Sequence, residues 1–125
     1  MRQLLFLTTI IFLTNCRPHI AGDSIDTDEI DSILISQRQH NNKPDTTKRL
    51  TTSTIKLFAD KWNNSPNVGP FKFLPQYVLT VYFKDDKPKK YRVSGGHIKE
   101  ENDWCLDFQD TAYFDNIWAD KNASH

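Results

Sequence analysis

The chain has 125 residues, with 16 basic and 16 acidic side chains and a formal net charge of zero. That length suits one domain with one modest core, and the charge balance lacks the overall basic excess of a nucleic-acid binder. Two cysteines, Cys16 and Cys105, are too few for a disulfide framework.

Residues 4–13 are mostly apolar (Leu4, Leu5, Phe6, Leu7, Ile10, Ile11, Phe12, Leu13) and follow the positive charge of Arg2. A run of about ten residues fits the core of a signal peptide, whereas a spanning helix needs about 20. Arg17, Pro18 and His19 end the run. Leu13-Thr14-Asn15-Cys16 closes it, and this tetrapeptide resembles the cleavage and acylation site of bacterial lipoproteins. Asn15 is bulkier than the residue usual before such a cysteine. The resemblance implies that 1–15 is a signal peptide and that Cys16 carries lipid. It places the domain on the extracytoplasmic side of the bacterial cell membrane or outer membrane. Two or more acyl chains anchor stably where one is marginal. A conventional secretory cut is the competing reading, but His19 denies Ala21 a small-x-small site. A lipid on Cys16 leaves Cys105 as a lone thiol; an unlipidated Cys16 leaves a Cys16–Cys105 bridge open.

After the cysteine, residues 16–27 are polar and read as a tether, with a single domain over 28–122. Residues 32–39 alternate around Ile33 and Ile35 and predict a first strand, although Ile30, Ile33 and Leu34 also have helical spacing. Asn41-Asn42-Lys43-Pro44-Asp45 is a turn signal, with a short returning strand over 48–51. Ile55, Phe58, Ala59 and Trp62 recur at helical spacing over 52–63, with Thr52 or Ser53 available as a cap. Residues 68–75 form a loop whose Phe71 and Phe73 are expected to cover a core edge.

Residues 76–84 are the clearest strand, with Tyr77, Leu79, Val81 and Phe83 on one face and Val78, Thr80 and Tyr82 on the other. Asp85-Asp86-Lys87-Pro88 turns the chain into a strand over 89–94, and Gly95-Gly96 reads as a bend or bulge. Residues 97–99 continue extended, Glu101-Asn102-Asp103 turns again, and Trp104, Leu106 and Phe108 alternate as a last strand. Asp110 is placed to cap a final helix burying Tyr113, Phe114, Ile117 and Trp118. The sum is an α+β fold: an antiparallel sheet of about four to five strands with two helices packed on one face. A helix ending in Asn-Asn-Ser, followed by Tyr77-x-Leu79-x-Val81-Tyr82-Phe83-Lys84-Asp85, resembles small envelope lipoproteins and imports no activity.

Candidate chemistry is sparse. Cys105 and His97 are one nucleophile-and-base pair across a predicted hairpin, but a free cysteine between Trp104 and Leu106 reads first as a small buried hydrophobe. Ser94-Gly95-Gly96-His97 lacks the Gly-x-Ser-x-Gly of a hydrolase elbow. His19, His40, His97 and His125 show no metal-ligand spacing, and Asp23 to Asp31 lacks the ligand order of a calcium loop. Glu100, Glu101, Asp103 and Asp107 read as solvated turn carboxylates. No cofactor or metal is therefore expected.

Charge is uneven along the chain. Residues 38–99 hold 13 basic side chains against 4 acidic ones, and residues 100–125 hold 7 acidic against 1 basic. The basic middle is one way to read a nucleic-acid binder, but the acidic ends can fold beside it, and an extracytoplasmic address argues against nucleic acid as a partner. Tyr82 and Arg92, on the sheet face away from the helices, are the candidate binding surface, since both residue types favour interfaces. The functional expectation is a lipid-anchored envelope module without enzymatic activity that binds an envelope protein or peptidoglycan. The alternatives are an inhibitor or immunity protein against a hydrolase, and then a small enzyme using Cys105 and His97.

Overall fold

In the computed structural model, residues 24–37, 46–100 and 104–124 are described. The alternation of apolar and polar residues builds the long strands β1 (Ile30–Gln37) and β3 (Tyr77–Phe83), and the sheet is completed by β2 (Thr46–Arg49), β4 (Lys89–Ser94), β5 (His97–Lys99) and β6 (Leu106–Asp107). Between β2 and β3 runs α1 (Thr52–Asn63), and α2 (Tyr113–Ala119) follows β6. All neighbouring strands are antiparallel, in the order β2-β1-β3-β4-β5-β6. The expected α+β architecture is present, with six strands among the described residues where four to five were expected. The additional strand is β5, three residues that the sequence reads only as extended chain after Gly95-Gly96. The turn expected over 41–45 lies outside the described residues.

Register decides which face is buried. Ile33 pairs with Val81, and Ile35 with Leu79. Leu79 pairs with Tyr91, Tyr77 with Val93, and Val93 with Ile98, which in turn meets Leu106. All of these are buried, so one face of the sheet is a continuous apolar floor. A register shift between Ile30 and Ser32 inserts Asp31, which lets Ile30 and Ile33 both turn inward despite their odd spacing. Strand β1 therefore wins over the helical alternative, preceded by a single 3-10 turn at Thr27–Glu29.

Helix α1 buries Ile55, Phe58, Ala59 and Trp62 on that floor. Its N-cap is Thr51 rather than Thr52 or Ser53: Thr51 is extended, and its hydroxyl accepts from the Thr54 amide at 3.3 Å. A cap stands one residue before the first helical one, and such a bond typically contributes about 1 kcal/mol. At the other end, Asn64 Nδ2 donates to the Asp60 carbonyl at 2.8 Å, and the Ser65 hydroxyl donates to the Lys61 carbonyl.

Helix α2 packs on the same floor through Phe114 and Ile117, with Tyr113 and Trp118 half-buried beside them, as the stripe predicts. The expected cap by Asp110 is displaced. Its carboxylate accepts from the Ala112 amide at 3.2 Å, in the turn before the helix, and the cap position holds Ala112 with no side-chain bond. Lys48 Nζ lies 4.4 Å from the centre of the Trp118 ring and donates to the Trp118 carbonyl at 2.6 Å. This satisfies a helix C-terminal acceptor from the neighbouring strand.

Contacts run past 28–122 at both ends. The Thr51 amide donates to the Ala123 carbonyl at 2.9 Å, and Ala123 and Ser124 are buried. Ile25 is held by Asn63 in both directions: its amide donates to Asn63 Oδ1 at 2.7 Å, and Asn63 Nδ2 donates to its carbonyl at 2.9 Å.

Tyr77 joins the floor to α2 by donating its hydroxyl proton to Asp115 Oδ1 at 2.7 Å. Burial, and then the Asp115 hydrogen bond and charge, push its pKa up from 10.0 to about 12. The folded state thus holds this proton more tightly than the unfolded chain. The resulting stabilisation is complete below pH 10 and is lost as pH rises through about 12. In urea titrations, the stability gap between wild type and Tyr77→Phe should narrow across that window. A gap that stays constant from pH 9 to pH 12 would contradict the assignment.

Candidate functional site

The pair singled out for chemistry does not form a nucleophile and its base. His97 pairs with Asp107 in the β5–β6 ladder, so Cys105 is its diagonal neighbour. The imidazole instead lies flat on Phe71, with ring centres 4.6 Å apart and an interplanar angle of 8°. Its Nε2 is 3.9 Å from Asp107 Oδ2. Cys105 is fully buried, and its Sγ–H points to the Leu106 carbonyl at 3.6 Å. Burial pushes the thiol pKa up, with Lys99 opposing and Asp107 reinforcing the shift. A thiol held in its neutral form is a poor nucleophile.

The loop between α1 and β3 does not cover a core edge with Phe71 and Phe73. It pairs with β6 through Asn67 and Leu106, then crosses the sheet face away from the helices. Lys99, only 3% exposed, donates from Nζ to the Phe71 carbonyl at 2.9 Å and sits 4.5 Å from the centre of the Phe73 ring. Its charge is thus met by a carbonyl and an aromatic face. Val68, Phe71 and Leu74 are left exposed on this loop.

Tyr82 and Arg92 lie on that same sheet face but not together. Tyr82 pairs with Ser32, whereas Arg92 stands opposite Val78 and Lys99. Val78 is four residues from Tyr82, which separates the two side chains by about 13 Å along the strand. Arg92 is exposed and Tyr82 half-buried. Gly95-Gly96 is neither bend nor bulge but the two-residue turn of the β4–β5 hairpin, between the paired Ser94 and His97. Cys16, His19, His40, Glu101, Asp103 and His125 lie outside the described residues. Among the described residues, no three His, Cys, Asp or Glu side chains could share a metal ion, and no helix is long and apolar enough to cross a membrane.

The site that the fold does build lies at the other end of the sheet. A pocket of about 440 Å³ opens where the C-terminal end of α1, the β3–β4 turn and the segment before β1 meet. Its floor is aromatic. Trp62 meets Tyr91 and Trp104 edge to face, with ring centres 5.2 and 5.6 Å away, and Tyr91 and Trp104 are 6.3 Å apart. Phe83, at the end of β3, adds a fourth ring. Ser24 and Ile25 close one side, held by the Asn63 clamp.

The rim is charged: Glu29, Asp85, Asp86 and Glu100 stand around the opening with Lys89. Glu29, Asp85, Asp86 and Lys89 are exposed. Burial and then Glu100 push the Tyr91 pKa up, so its hydroxyl stays protonated and available as a donor. A concavity with aromatic residues at its base is a common form of ligand site, and here polar and charged groups line it about as much as apolar ones do.

In the sequence, Trp62, Phe83 and Trp104 fall on the apolar faces of separate predicted elements, Asp85-Asp86 belongs to a turn, and Glu100 reads as a solvated turn carboxylate. Each description is locally right. The pocket appears only when α1, β3, β4 and the Trp104 segment are brought to the same end of the sheet. No family model matches the chain, and no curated protein or solved structure proved similar to it.

Proposed function

We propose that the chain is a lipid-anchored binding module of the bacterial cell envelope, attached through Cys16, with its domain on the extracytoplasmic side of the cell membrane or outer membrane. Its work is recognition of an envelope protein or peptidoglycan, without catalysis. The observation that carries this reading is the pocket at the chain's entry into the fold, floored by four aromatic rings and walled by Ser24 and Ile25. Cys105 is sealed in the interior and His97 is stacked on Phe71, which supports a non-catalytic role.

The Asn63 clamp on Ile25 also bears on reach. Only about eight residues separate Cys16 from the clamped Ile25, so an anchored pocket works within about 30 Å of the lipid headgroups. A partner lying on the membrane, or in the first layer above it, is within range.

Metabolic palmitate labelling with and without globomycin tests the anchor. Wild type should label and accumulate as precursor under globomycin, and Cys16→Ala should do neither. Equal behaviour of the two removes the lipoprotein reading. A pull-down from solubilised membranes tests the role. An endogenous envelope complex is the expected capture, and a single foreign hydrolase favours the inhibitor alternative. Loss of biological effect in Cys105→Ala or His97→Ala, with folding intact, would return the enzyme reading.

A further inference from the structure

We propose that the aromatic pocket binds an alkylammonium group, free or carried on a lysine-type side chain. This rests on the binding-module reading and specifies the chemistry of its ligand. Four carboxylates surround the opening against one ammonium, that of Lys89. Among the described residues, none of these carboxylates makes an ion pair with a basic side chain. An anion would approach against this field, whereas a cation is drawn in by it.

The floor gives the cation a reason to stay. Aromatic faces attract ammonium groups through their quadrupole, and the attraction grows as water is excluded. The chain already shows this pairing on the pocket wall, where Lys89 Nζ lies 5.7 Å from the centre of the Phe83 ring. At about 440 Å³ the pocket is far larger than a bare metal ion and can take an alkyl body together with its charged head. Hard metal ions also want several oxygen ligands close together, and the described rim carboxylates do not form such a group. Tyr91 and Glu100 both line the pocket, and the Tyr91 hydroxyl oxygen and the Glu100 carboxylate are acceptors for the ammonium protons.

The rim charges make opposite predictions, which isolates the sign of the ligand. Glu100→Gln removes attraction and should weaken binding about threefold. Lys89→Gln removes repulsion and should strengthen it by a similar factor. Both residues stand at the pocket's rim, so thermal melting should confirm that each variant is folded.

The experiment uses the full mature protein in detergent, titrated with butylammonium, tetramethylammonium and Nα-acetyl-lysine amide. Tryptophan fluorescence reports directly, because Trp62 and Trp104 line the pocket. The expected result is a saturable change with all three probes, weakened by salt and shifted in opposite directions by the two variants. Tighter binding of the lysine amide would point to a polypeptide side chain as the natural source, and parity with butylammonium to a free amine. Either supports the proposal. Butyrate, matched in size and opposite in charge, should give no change. A butyrate response with none to butylammonium would overturn the cation assignment while leaving a binding pocket in place. Silence to every amine, or Kd values indifferent to both rim variants, would overturn it as well. Failure of the broader reading shows separately, as a pull-down with no partner.

Discussion

Gly96→Ala should lose about 2–3 kcal/mol of stability in urea titration, a large effect for a single methyl group. Gly96 is the second residue of the β4–β5 turn, and a Cβ there would lie 2.4 Å from the Asp110 carbonyl oxygen and 2.9 Å from its carbon. Both are backbone atoms, so no flexible side chain can swing aside. The same turn accepts the Phe108 amide on the Gly96 carbonyl at 2.8 Å. Pushing the hairpin from residue 110 therefore strains the strand end and the turn leading into α2 together. Gly69→Ala is the control. Gly69 has a positive φ of 77° but nothing within 4 Å of a new Cβ. It should cost only the left-handed backbone penalty, about 1 kcal/mol. Equal losses at the two positions would mean that the close approach to Asp110 is not what demands glycine.

The contrast between these glycines shows what the amino-acid sequence can and cannot disclose. Tyr77, Leu79 and Val81 alternate over a full strand, and Ile55, Phe58, Ala59 and Trp62 repeat at helical spacing, so β3 and α1 are visible locally. Gly95-Gly96 announces a turn of some kind. Its tightness depends on residues 110 and 111, which come against it only after β6 has been laid beside β5. Trp104, Leu106 and Phe108 alternate, so a last strand is legible, but only Leu106–Asp107 pair within it, and its place between β5 and Asn67 follows from that pairing.

Site residues follow the same logic. Tyr82 and Arg92 share a sheet face by parity, which a sequence reveals. Their separation follows from the β3–β4 register, which it does not. Phe71 and Phe73 look like core because they are aromatic, yet they serve the opposite face, over His97 and Lys99. The pocket was the least legible feature. Its lining runs from Ser24 to Trp104 and shares no local pattern.

Trp62→Ala should cost about 3–5 kcal/mol, a large share of the 5–15 kcal/mol that holds a typical domain. The ring is 4% exposed and lies where three groups of residues meet. It contacts Phe58 within α1, Tyr91 on β4 and Trp104 ahead of β6, with ring centres 5.9, 5.2 and 5.6 Å away. Removing it leaves a cavity between helix and sheet that backbone elements pinned by Asn63 and the strand ladder cannot collapse to fill. A double-mutant cycle with Trp62→Leu and Trp104→Leu should give a coupling of about 0.5–1.5 kcal/mol, the size of an edge-to-face pair beyond its burial. Leu57→Ala, on the 63% exposed side of the same helix, should change stability by no more than about 0.5 kcal/mol. If Trp62→Ala and Leu57→Ala melt alike, α1 does not dock through Trp62. The pocket floor would then fail with it, because the same ring both holds the helix to the sheet and lines the cavity.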